Sequence, residues 1–300
     1  MSQKWYSSIS AFKFNDKFTL SDAELLEKLE KKRIIPCDKS ALKTVGWDDI
    51  IMGDNSTLTI KASGAYLLNL KTEEKLIPAA IVKDESMKEI LKREKKSGQK
   101  LSKADKEDIK DGVIAKMKAQ AFVKSSATLG YLDVKNKKLV VNSSSAAKVD
   151  TFTAFLRDTL GSLDIEILKP DLEMQDVLTD MLVDNAKYKK FDIGSDCILK
   201  DFTDGQATIA AKKEDLFSDE IKEHISTGKQ VENIELTWEK RISFKISSDF
   251  KIGGIKALDL IAESIKDEAG ESTDAYSKIT SSMFIMVEDF NEMLDNLMDL

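Results

Sequence analysis

Residues 73–122 read EEKLIPAAIVKDESMKEILKREKKSGQKLSKADKEDIKDGVIAKMKAQAF and form the one strongly basic segment of an acidic chain. From Lys75 to Lys124 there are 14 Lys and Arg against 8 Asp and Glu, a local charge of +6, whereas the whole chain carries −7. The segment opens with a short turn at Leu76-Ile77-Pro78 and is almost free of glycine. Many of its lysines stand three or four residues apart, which in a helix places them on one side. We therefore predict a long helical segment with a cationic stripe.

The cationic stripe has two interpretations. A row of lysines along a helix is suited to the phosphate backbone of a nucleic acid. The same spacing is typical of a solvated helical hairpin, in which the lysines pair with neighbouring acids such as Glu85, Glu89 and Asp105. Composition alone favours the second interpretation, because runs of charge usually keep a helix surface hydrated.

Length and composition are those of an ordinary soluble protein. Three hundred residues, 42% of them apolar and 33% charged, suffice for about two domains with a real core. No apolar run approaches the roughly 20 residues that a bilayer span needs, and the first ten residues lack the pattern of a signal peptide. We expect a cytoplasmic protein without a membrane partner. Cys37, Cys197 and the single His224 are too far apart for metal-ligand spacing, so we expect no metal site and no cofactor.

A small unit of helix and strand precedes the basic segment. Residues 5–14 are rich in strand-favouring side chains and predict a strand. Ser21, followed three residues later by Glu24, forms a capping box that predicts a helix to about residue 32. Residues 57–62 and 65–71 predict a hairpin, giving the order β-α-β-β.

A second small unit follows the basic segment. Residues 128–134 and 138–142 predict another hairpin, and the three serines at 143–145 precede a predicted helix over 146–160. A strand over 164–168 completes the order β-β-α-β. The basic segment is therefore predicted as a helical insertion in an α+β fold.

The last 130 residues again mix both element types. We predict helices over 173–183 and 218–228, strands over 197–199, 207–212, 231–238 and 241–246, and a helix from 255 to about 267. In a final helix, capped by Ser281 or Ser282, apolar residues recur at steps of four and three. These residues are Met283, Val287, Phe290, Leu294 and Leu297. Such a face packs either on its own domain or on a second copy of the chain.

Signatures of common enzyme classes are missing from the sequence. There is no glycine-rich phosphate loop, nucleophile elbow or paired-histidine helix. An enzyme would have to rely on carboxylates and lysines around a divalent metal. Acid-x-Lys triplets such as Glu30-Lys31-Lys32 are expected by chance among 53 acids and 46 bases. A metal-dependent DNA exonuclease therefore remains only the alternative function.

Short motifs occur in a fixed order along almost the whole chain. They are Gly46-Trp47, Glu73-Glu74-Lys75-Leu76-Ile77-Pro78, Lys100-Leu101-Ser102-Lys103, Gln120-Ala121-Phe122, Leu156-Arg157-Asp158-Thr159-Leu160-Gly161-Ser162-Leu163, Ala211-Lys212-Lys213-Glu214-Asp215-Leu216 and Leu236-Thr237-Trp238 with Arg241-Ile242. By these motifs the chain resembles the family of the bacterial recombination-associated protein RdgC.

The resemblance implies a sequence-nonspecific protein that binds double-stranded DNA as a ring-shaped dimer and restrains the RecA recombinase. It also implies a horseshoe-shaped subunit and a nucleoid-associated location. The implied domains are a centre domain at 1–74 and 125–170, a helical basic tip domain at 75–124, and an α+β base domain at 171–300 with a C-terminal dimerisation helix. A third interpretation is a module that binds RecA itself, with DNA incidental.

Particular residues acquire roles from the resemblance. The implied DNA contacts are Lys212 and Lys213, then Lys229 and Arg241, with the tip lysines Lys100, Lys103, Lys116 and Lys118 as helpers. The implied dimer interface contains Phe122 and Pro78 at the tip and Phe290, Leu294 and Leu297 in the last helix. Without the resemblance, a lysine pair that ends a strand is usually just solvated.

The chain departs from the family pattern at two positions. Gln120 stands where the family commonly has arginine, and Glu214 follows the lysine pair where an amide is usual. Each change removes positive character. We expect weaker or more salt-sensitive DNA binding than in relatives, unless lysines such as Lys116, Lys118 and Lys124 compensate.

Overall fold

The structure is a computed structural model that describes residues 5–14, 21–51, 56–203, 207–269 and 275–300. The described strands are β1 (Ser8–Phe14), β2 (Lys43–Trp47), β3 (Ile60–Ala62), β4 (Ala65–Lys75), β5 (Val123–Asp133), β6 (Lys138–Val141), β7 (Ile165–Ile167), β8 (Phe191–Lys200), β9 (Thr208–Lys212), β10 (Gln230–Trp238), β11 (Ile242–Ser247) and β12 (Ile252–Ala257). The described helices are α1 (Asp22–Lys31), α2 (Ala79–Ser97), α3 (Lys103–Gln120), α4 (Ala146–Leu160), α5 (Met174–Val183), α6 (Asp219–Ser226), α7 (Asp259–Ala269) and α8 (Ala275–Met298). The described strands pair in antiparallel fashion, and the predicted α+β class is confirmed.

The chain divides into two compact units. Unit 1 contains 1–28, 49–68 and 128–300, and unit 2 contains 29–48 and 69–127. The predicted tip segment, 75–124, falls in unit 2, which also takes in residues on both sides of β2. Residues before and after position 170 both belong to unit 1, so this division places no domain boundary there.

Unit 1 is built on a long antiparallel sheet. Its strand order is β6-β1-β12-β11-β10-β8-β9, and the end of β5 pairs with β6. In β10, Ile234, Leu236 and Trp238 are buried, while the residues between them are partly exposed. This alternation is that of a sheet with one face on the core and one face towards solvent.

Helix α8 is part of the core of unit 1. Phe290, Leu294 and Leu297 have no exposed surface in the single chain. The ring of Trp5 meets the ring of Phe290 edge-on at 5.5 Å. In the single chain this face of α8 packs on its own unit, and a role of the three residues at an interface between copies stays a prediction. The helix also begins at Ala275 instead of Ser281 or Ser282.

Polar contacts fix the position of α8 against the hairpin of β5 and β6. The amide of Asn291 donates to the buried carboxylate of Asp133 at 2.5 Å. Lys138 Nζ donates to Asp295 Oδ1 at 2.6 Å. An unpaired buried polar group destabilises a fold. These contacts therefore favour one position of α8 along the hairpin.

Unit 2 contains the helical pair α2–α3, so the predicted helical segment is confirmed. Helix α2 ends at Gly98, whose φ of 69° lies in the left-handed region, and α3 begins with a capping box between Ser102 and Asp105. Beside the pair, β2 runs antiparallel to β4. A Cβ atom at Gly46 in β2 would lie 2.4 Å from Ile34 Cα, so only glycine permits this close approach.

The sequence prediction missed two strands. Strand β2 was expected as loop, and β12 occupies the start of the helix predicted from residue 255. Residues of β12 pair with both β1 and β11, so long-range partners stabilise a segment that contains Gly253 and Gly254. Helix α7 begins only at Asp259.

Candidate nucleic-acid interface

The solvent face of the unit 1 sheet carries charged side chains from several strands. Asp196 in β8 lies directly opposite Lys212 in β9. Glu235 in β10 lies directly opposite Lys245 in β11. Residues opposite each other in an antiparallel pair share one face of the sheet. Lys245 Nζ reaches Asp196 Oδ2 at 2.6 Å, which places both pairs on the same face.

The Lys212-Lys213 pair stands at the end of β9, where the chain turns. Lys213 has a φ of 56°, in the left-handed region that non-glycine residues adopt only when other contacts support it. Its backbone N–H donates to Asp196 Oδ1 at 3.1 Å, and the N–H of Glu214 donates to the carbonyl of Ser195 at 3.1 Å. Both lysine side chains are exposed, and neither has an ion-pair partner among the described residues. The turn therefore presents two ammonium groups to solvent.

Asp196 organises this turn and also lowers its charge. The hydrogen bond from Lys245, followed by the one from the Lys213 backbone, holds the pKa of the Asp196 carboxyl below its usual range. The carboxylate is therefore ionised at neutral pH. It pairs with Lys245 and also attracts Lys212, while Lys212 and Lys213 have no ion pair among the described residues.

A shallow cavity of about 650 Å³ extends along the same face. Its lining includes Lys200, Asn233, Lys245, Ser247 and Gly253. Lys200 Nζ pairs with Glu232 at 2.8 Å and lies 5.6 Å above the ring of Phe202. The sheet face therefore offers ammonium groups and hydroxyls, but each of the three lysines in the lining, Lys200, Lys245 and Lys251, pairs with a carboxylate.

Two other predicted DNA contacts of unit 1 lie elsewhere. The backbone N–H of Lys229 donates to the carbonyl of His224 at 3.2 Å, just after α6, and its side chain is half-buried. Arg241 forms a two-pronged ion pair with Asp289, from Nε to Oδ1 at 3.0 Å and from Nη2 to Oδ2 at 2.9 Å. The Asp289 side chain is only 9% exposed. Arg241 compensates this buried carboxylate, and its role as a DNA contact stays a prediction.

The tip lysines occupy different positions in unit 2. Lys100 and Lys103 are exposed at the connection between α2 and α3, and Lys116 is exposed further along α3. Lys118 Nζ donates to the carbonyl of Ser40 at 2.5 Å, so its charge is directed to the protein backbone. Three of the four lysines are therefore directed to solvent.

The predicted interface residues of the tip are exposed. Phe122 is 83% exposed, and its carbonyl accepts from the N–H of Leu76 at 2.8 Å. Leu76 is itself 51% exposed, so the two apolar residues lie side by side. Pro78 is the N-cap residue of α2, with an extended ψ of 126°. Pro78 therefore lies where the chain enters the helical pair, and its interface role stays a prediction.

Sequence reasoning missed Asp196 and Lys245. The pattern Ser243-Phe244-Lys245-Ile246-Ser247 alternates polar and apolar residues, and this signal places Lys245 on a solvent face. No comparable signal ties Asp196 to Lys245, because the two residues are brought together only by the order of β8, β10 and β11.

The described residues contain neither a candidate metal site nor a candidate membrane-spanning helix. In the described ranges, no group of three or more His, Cys, Asp or Glu side chains is placed to hold a metal ion. No helix in the same ranges combines the length and the apolar character that crossing a membrane requires.

These features define an α+β protein that carries a charged open sheet face and a lysine-rich helical pair. The chain belongs to the RdgC family, because a family model described as "Putative exonuclease, RdgC" matches residues 4–300. It is 28% identical to the recombination-associated protein RdgC of Colwellia psychrerythraea, over 98% of this chain and 95% of that protein. The protein of the same name from Pseudoalteromonas translucida is 28% identical over 98% of this chain and 96% of its own length. The protein of the same name from Enterobacter sp. is 27% identical over 98% of this chain and 97% of its own length.

Proposed function

We propose that this RdgC-family protein binds double-stranded DNA without sequence preference, encircles it as a ring-shaped dimer and restrains RecA in homologous recombination. The observation that carries the proposal is the Lys212-Lys213 turn. Its two exposed ammonium groups stand at the edge of an open sheet face, on a turn whose backbone N–H at Lys213 donates to the Asp196 carboxylate. The names of the relatives support the link to recombination.

Phosphate contacts alone suffice for this kind of binding. Lysines attract the backbone of any duplex and release its condensed counterions, so affinity falls steeply with salt and carries no sequence information. The net charge of −7 is compatible with this mode, because positive charge is concentrated in the helical segment, and Lys212 and Lys213 are exposed although Glu214 and Asp215 follow them. A protein of this kind works in the cytoplasm, in association with the nucleoid.

The dimer proposal rests on the exposed apolar residues of unit 2. Phe122 and Leu76 form a small exposed apolar surface beside Pro78. A phenylalanine that is 83% exposed leaves most of its surface available for burial against a second copy. This supports Phe122 and Pro78 as part of one interface of the ring.

The test is a gel-shift series with closed circular and linear duplexes of one sequence, at rising salt, with and without magnesium. Native protein is compared with Lys212→Glu/Lys213→Glu. The control is Lys189→Glu/Lys190→Glu, an adjacent exposed pair that undergoes the same change of charge. Because Lys190 pairs with Glu239 and Glu292, circular dichroism checks that this variant stays folded.

We expect both DNAs to shift intact, with log affinity falling linearly with log salt. The Lys212/Lys213 variant should lose about tenfold or more in affinity, and the control should bind like native protein. Shortening of linear DNA only with magnesium would identify an exonuclease instead. RecA inhibition that survives the Lys212/Lys213 change would identify a RecA-binding module.

A further inference from the structure

A cavity in unit 2 lies between the two helices of the pair and the neighbouring parts of β2 and β4. Its volume is about 620 Å³. The apolar part of its lining is Leu42, Ile77, Val82, Met87, Ile90 and Ile114. Leu76 and Phe122 are not part of the lining, but Lys75, Ile77 and Ala79 are, so the cavity lies next to the proposed tip interface. It offers an apolar floor for several large side chains.

Lysines surround this apolar floor on all the contributing elements. They are Lys43, Lys75, Lys83, Lys103, Lys106 and Lys110, against the two carboxylates of Glu74 and Glu107. The three lysines of α3 follow one helix face over seven residues, which is about 10 Å of helix. Two of them are already paired, Lys106 with Glu94 at 3.7 Å and Lys110 with Glu107 at 3.0 Å. The excess positive charge therefore lies mainly on the other four lysines. A ligand that matches it carries several negative charges.

A buried hydroxyl in the cavity wall lacks a hydrogen bond. Ser86 in α2 is only 6% exposed and lines the cavity. Among the described residues, its Oγ has no hydrogen-bond partner. An unsatisfied buried hydroxyl is costly, and a ligand that brings a donor or an acceptor to this point removes the cost.

We propose that this cavity binds an acidic peptide segment of a partner protein that carries large apolar side chains. Carboxylates of the segment pair with the lysines at the rim, and its apolar side chains fill the floor. Its backbone supplies the hydrogen bond that Ser86 lacks. The binding is electrostatically steered and apolar at its centre, as in other peptide grooves.

Other occupants match the cavity less well. An acyl chain carries one charge at one end and no hydrogen-bonding groups along its length. Duplex DNA supplies many charges, but its backbone has no apolar group for the floor. A second copy of the chain, which could reach the cavity through Phe122, is distinguished by self-association, because Met87→Glu would then weaken the dimer.

The test is fluorescence anisotropy of the full chain with a labelled peptide that contains several aspartates and two phenylalanines. Two comparison peptides replace the aspartates by asparagine or the phenylalanines by serine. The key variant is Met87→Glu, because Met87 lines the cavity and is 50% exposed. The matched control is Leu91→Glu, one turn further along α2, 58% exposed and outside the lining.

We expect the acidic apolar peptide to bind and both comparison peptides to bind at least about tenfold more weakly, a difference of about 1.4 kcal/mol. Met87→Glu should weaken binding by a similar factor, and Leu91→Glu should leave it unchanged. Circular dichroism checks that both variants keep their helices. Equal binding by Met87→Glu, displacement of the peptide by excess duplex DNA alone, or a loss of self-association in Met87→Glu without any peptide binding would each overturn the proposal. Because Lys212 and Lys213 play no part here, the outcome is independent of the DNA-binding test.

Discussion

Asp196 decides how much positive charge the β9 turn presents. Its carboxylate accepts from the Lys213 backbone at one oxygen and from Lys245 at the other. Asp196→Asn keeps an acceptor for the Lys213 N–H but removes the charge that neutralises Lys245. If the turn binds phosphates, this variant should bind duplex DNA about threefold to tenfold more tightly at low salt, with a log-log salt slope steeper by about 1.

Fluorescence anisotropy of a labelled duplex, titrated with protein at several salt concentrations, measures the affinity and its salt dependence. Asp196→Ala serves as the comparison, because it also removes the acceptor for Lys213 and loosens the turn. Its gain in affinity should be smaller than that of Asp196→Asn. Unchanged affinity in both variants would mean that the turn lies outside the DNA contact.

Arg241 has a structural role that is measurable through pH. Burial raises the pKa of the Asp289 carboxyl, and the Arg241 guanidinium partly offsets this rise. Because the folded pKa lies above the unfolded one, stability is highest below the unfolded pKa and falls as pH rises through the folded pKa. In Arg241→Ala the offset is lost, so ionised Asp289 is left buried and unpaired.

We expect Arg241→Ala to lower the free energy of unfolding by about 3–5 kcal/mol at neutral pH and by less near pH 4, where Asp289 takes up a proton. Urea unfolding followed by the fluorescence of the buried Trp238 measures this loss. The double variant Arg241→Leu/Asp289→Leu removes both charges and should recover most of the stability. A loss of equal size at both pH values would contradict the assignment.

At the scale of elements, two glycines of the helical pair should respond in opposite ways to the same change. A Cβ atom at Gly98 or at Gly112 meets no other atom within 4 Å, so space does not distinguish them. Gly98 ends α2 in the left-handed region, whereas Gly112 lies inside α3. Gly98→Ala should destabilise the pair by about 1 kcal/mol, and Gly112→Ala should stabilise it by about 1 kcal/mol.

Thermal unfolding by circular dichroism, with hydrogen exchange of the α2 and α3 amides, measures both changes. Each variant is the other's control, since the added methyl group is the same. If both variants changed the unfolding temperature in the same direction, the turn at Gly98 would not be what ends α2.

Sequence patterns predicted those elements whose signals are local. Helix α4 begins and ends as predicted, because its apolar spacing and the terminal Gly161 are both readable in one segment. Strand β12 was missed because its stability comes from β1 and β11, which are distant in sequence. The same limit explains why the ion pair of Arg241 was not predicted, since its partner Asp289 lies 48 residues further on.

At the scale of the whole molecule, the segregation of charge reconciles an acidic chain with a polyanionic partner. The long-range potential of a protein with net charge −7 repels DNA, but repulsion at distance is screened within about 10 Å at 0.1 M salt. Local lysine clusters therefore decide binding at physiological salt. We expect weaker DNA affinity at very low salt than a uniformly basic protein would show.

The proposed ring, closed through two interfaces, should behave differently from a protein that binds DNA without encircling it. Native protein loaded on closed circular DNA should resist a salt challenge, because it cannot leave without opening, whereas it should slide off linear DNA.

Phe122→Asp places a charge on the exposed apolar surface of unit 2 and should open one interface. The variant should still shift both DNAs at low salt, since the Lys212-Lys213 turn is intact, but lose its retention on circles by about tenfold or more. Leu172→Asp, which changes a 51% exposed apolar residue of unit 1, is the control and should retain native behaviour. Sedimentation measures whether the variant stays dimeric through the other interface, and equal retention of native protein and Phe122→Asp on circles would refute closure through Phe122.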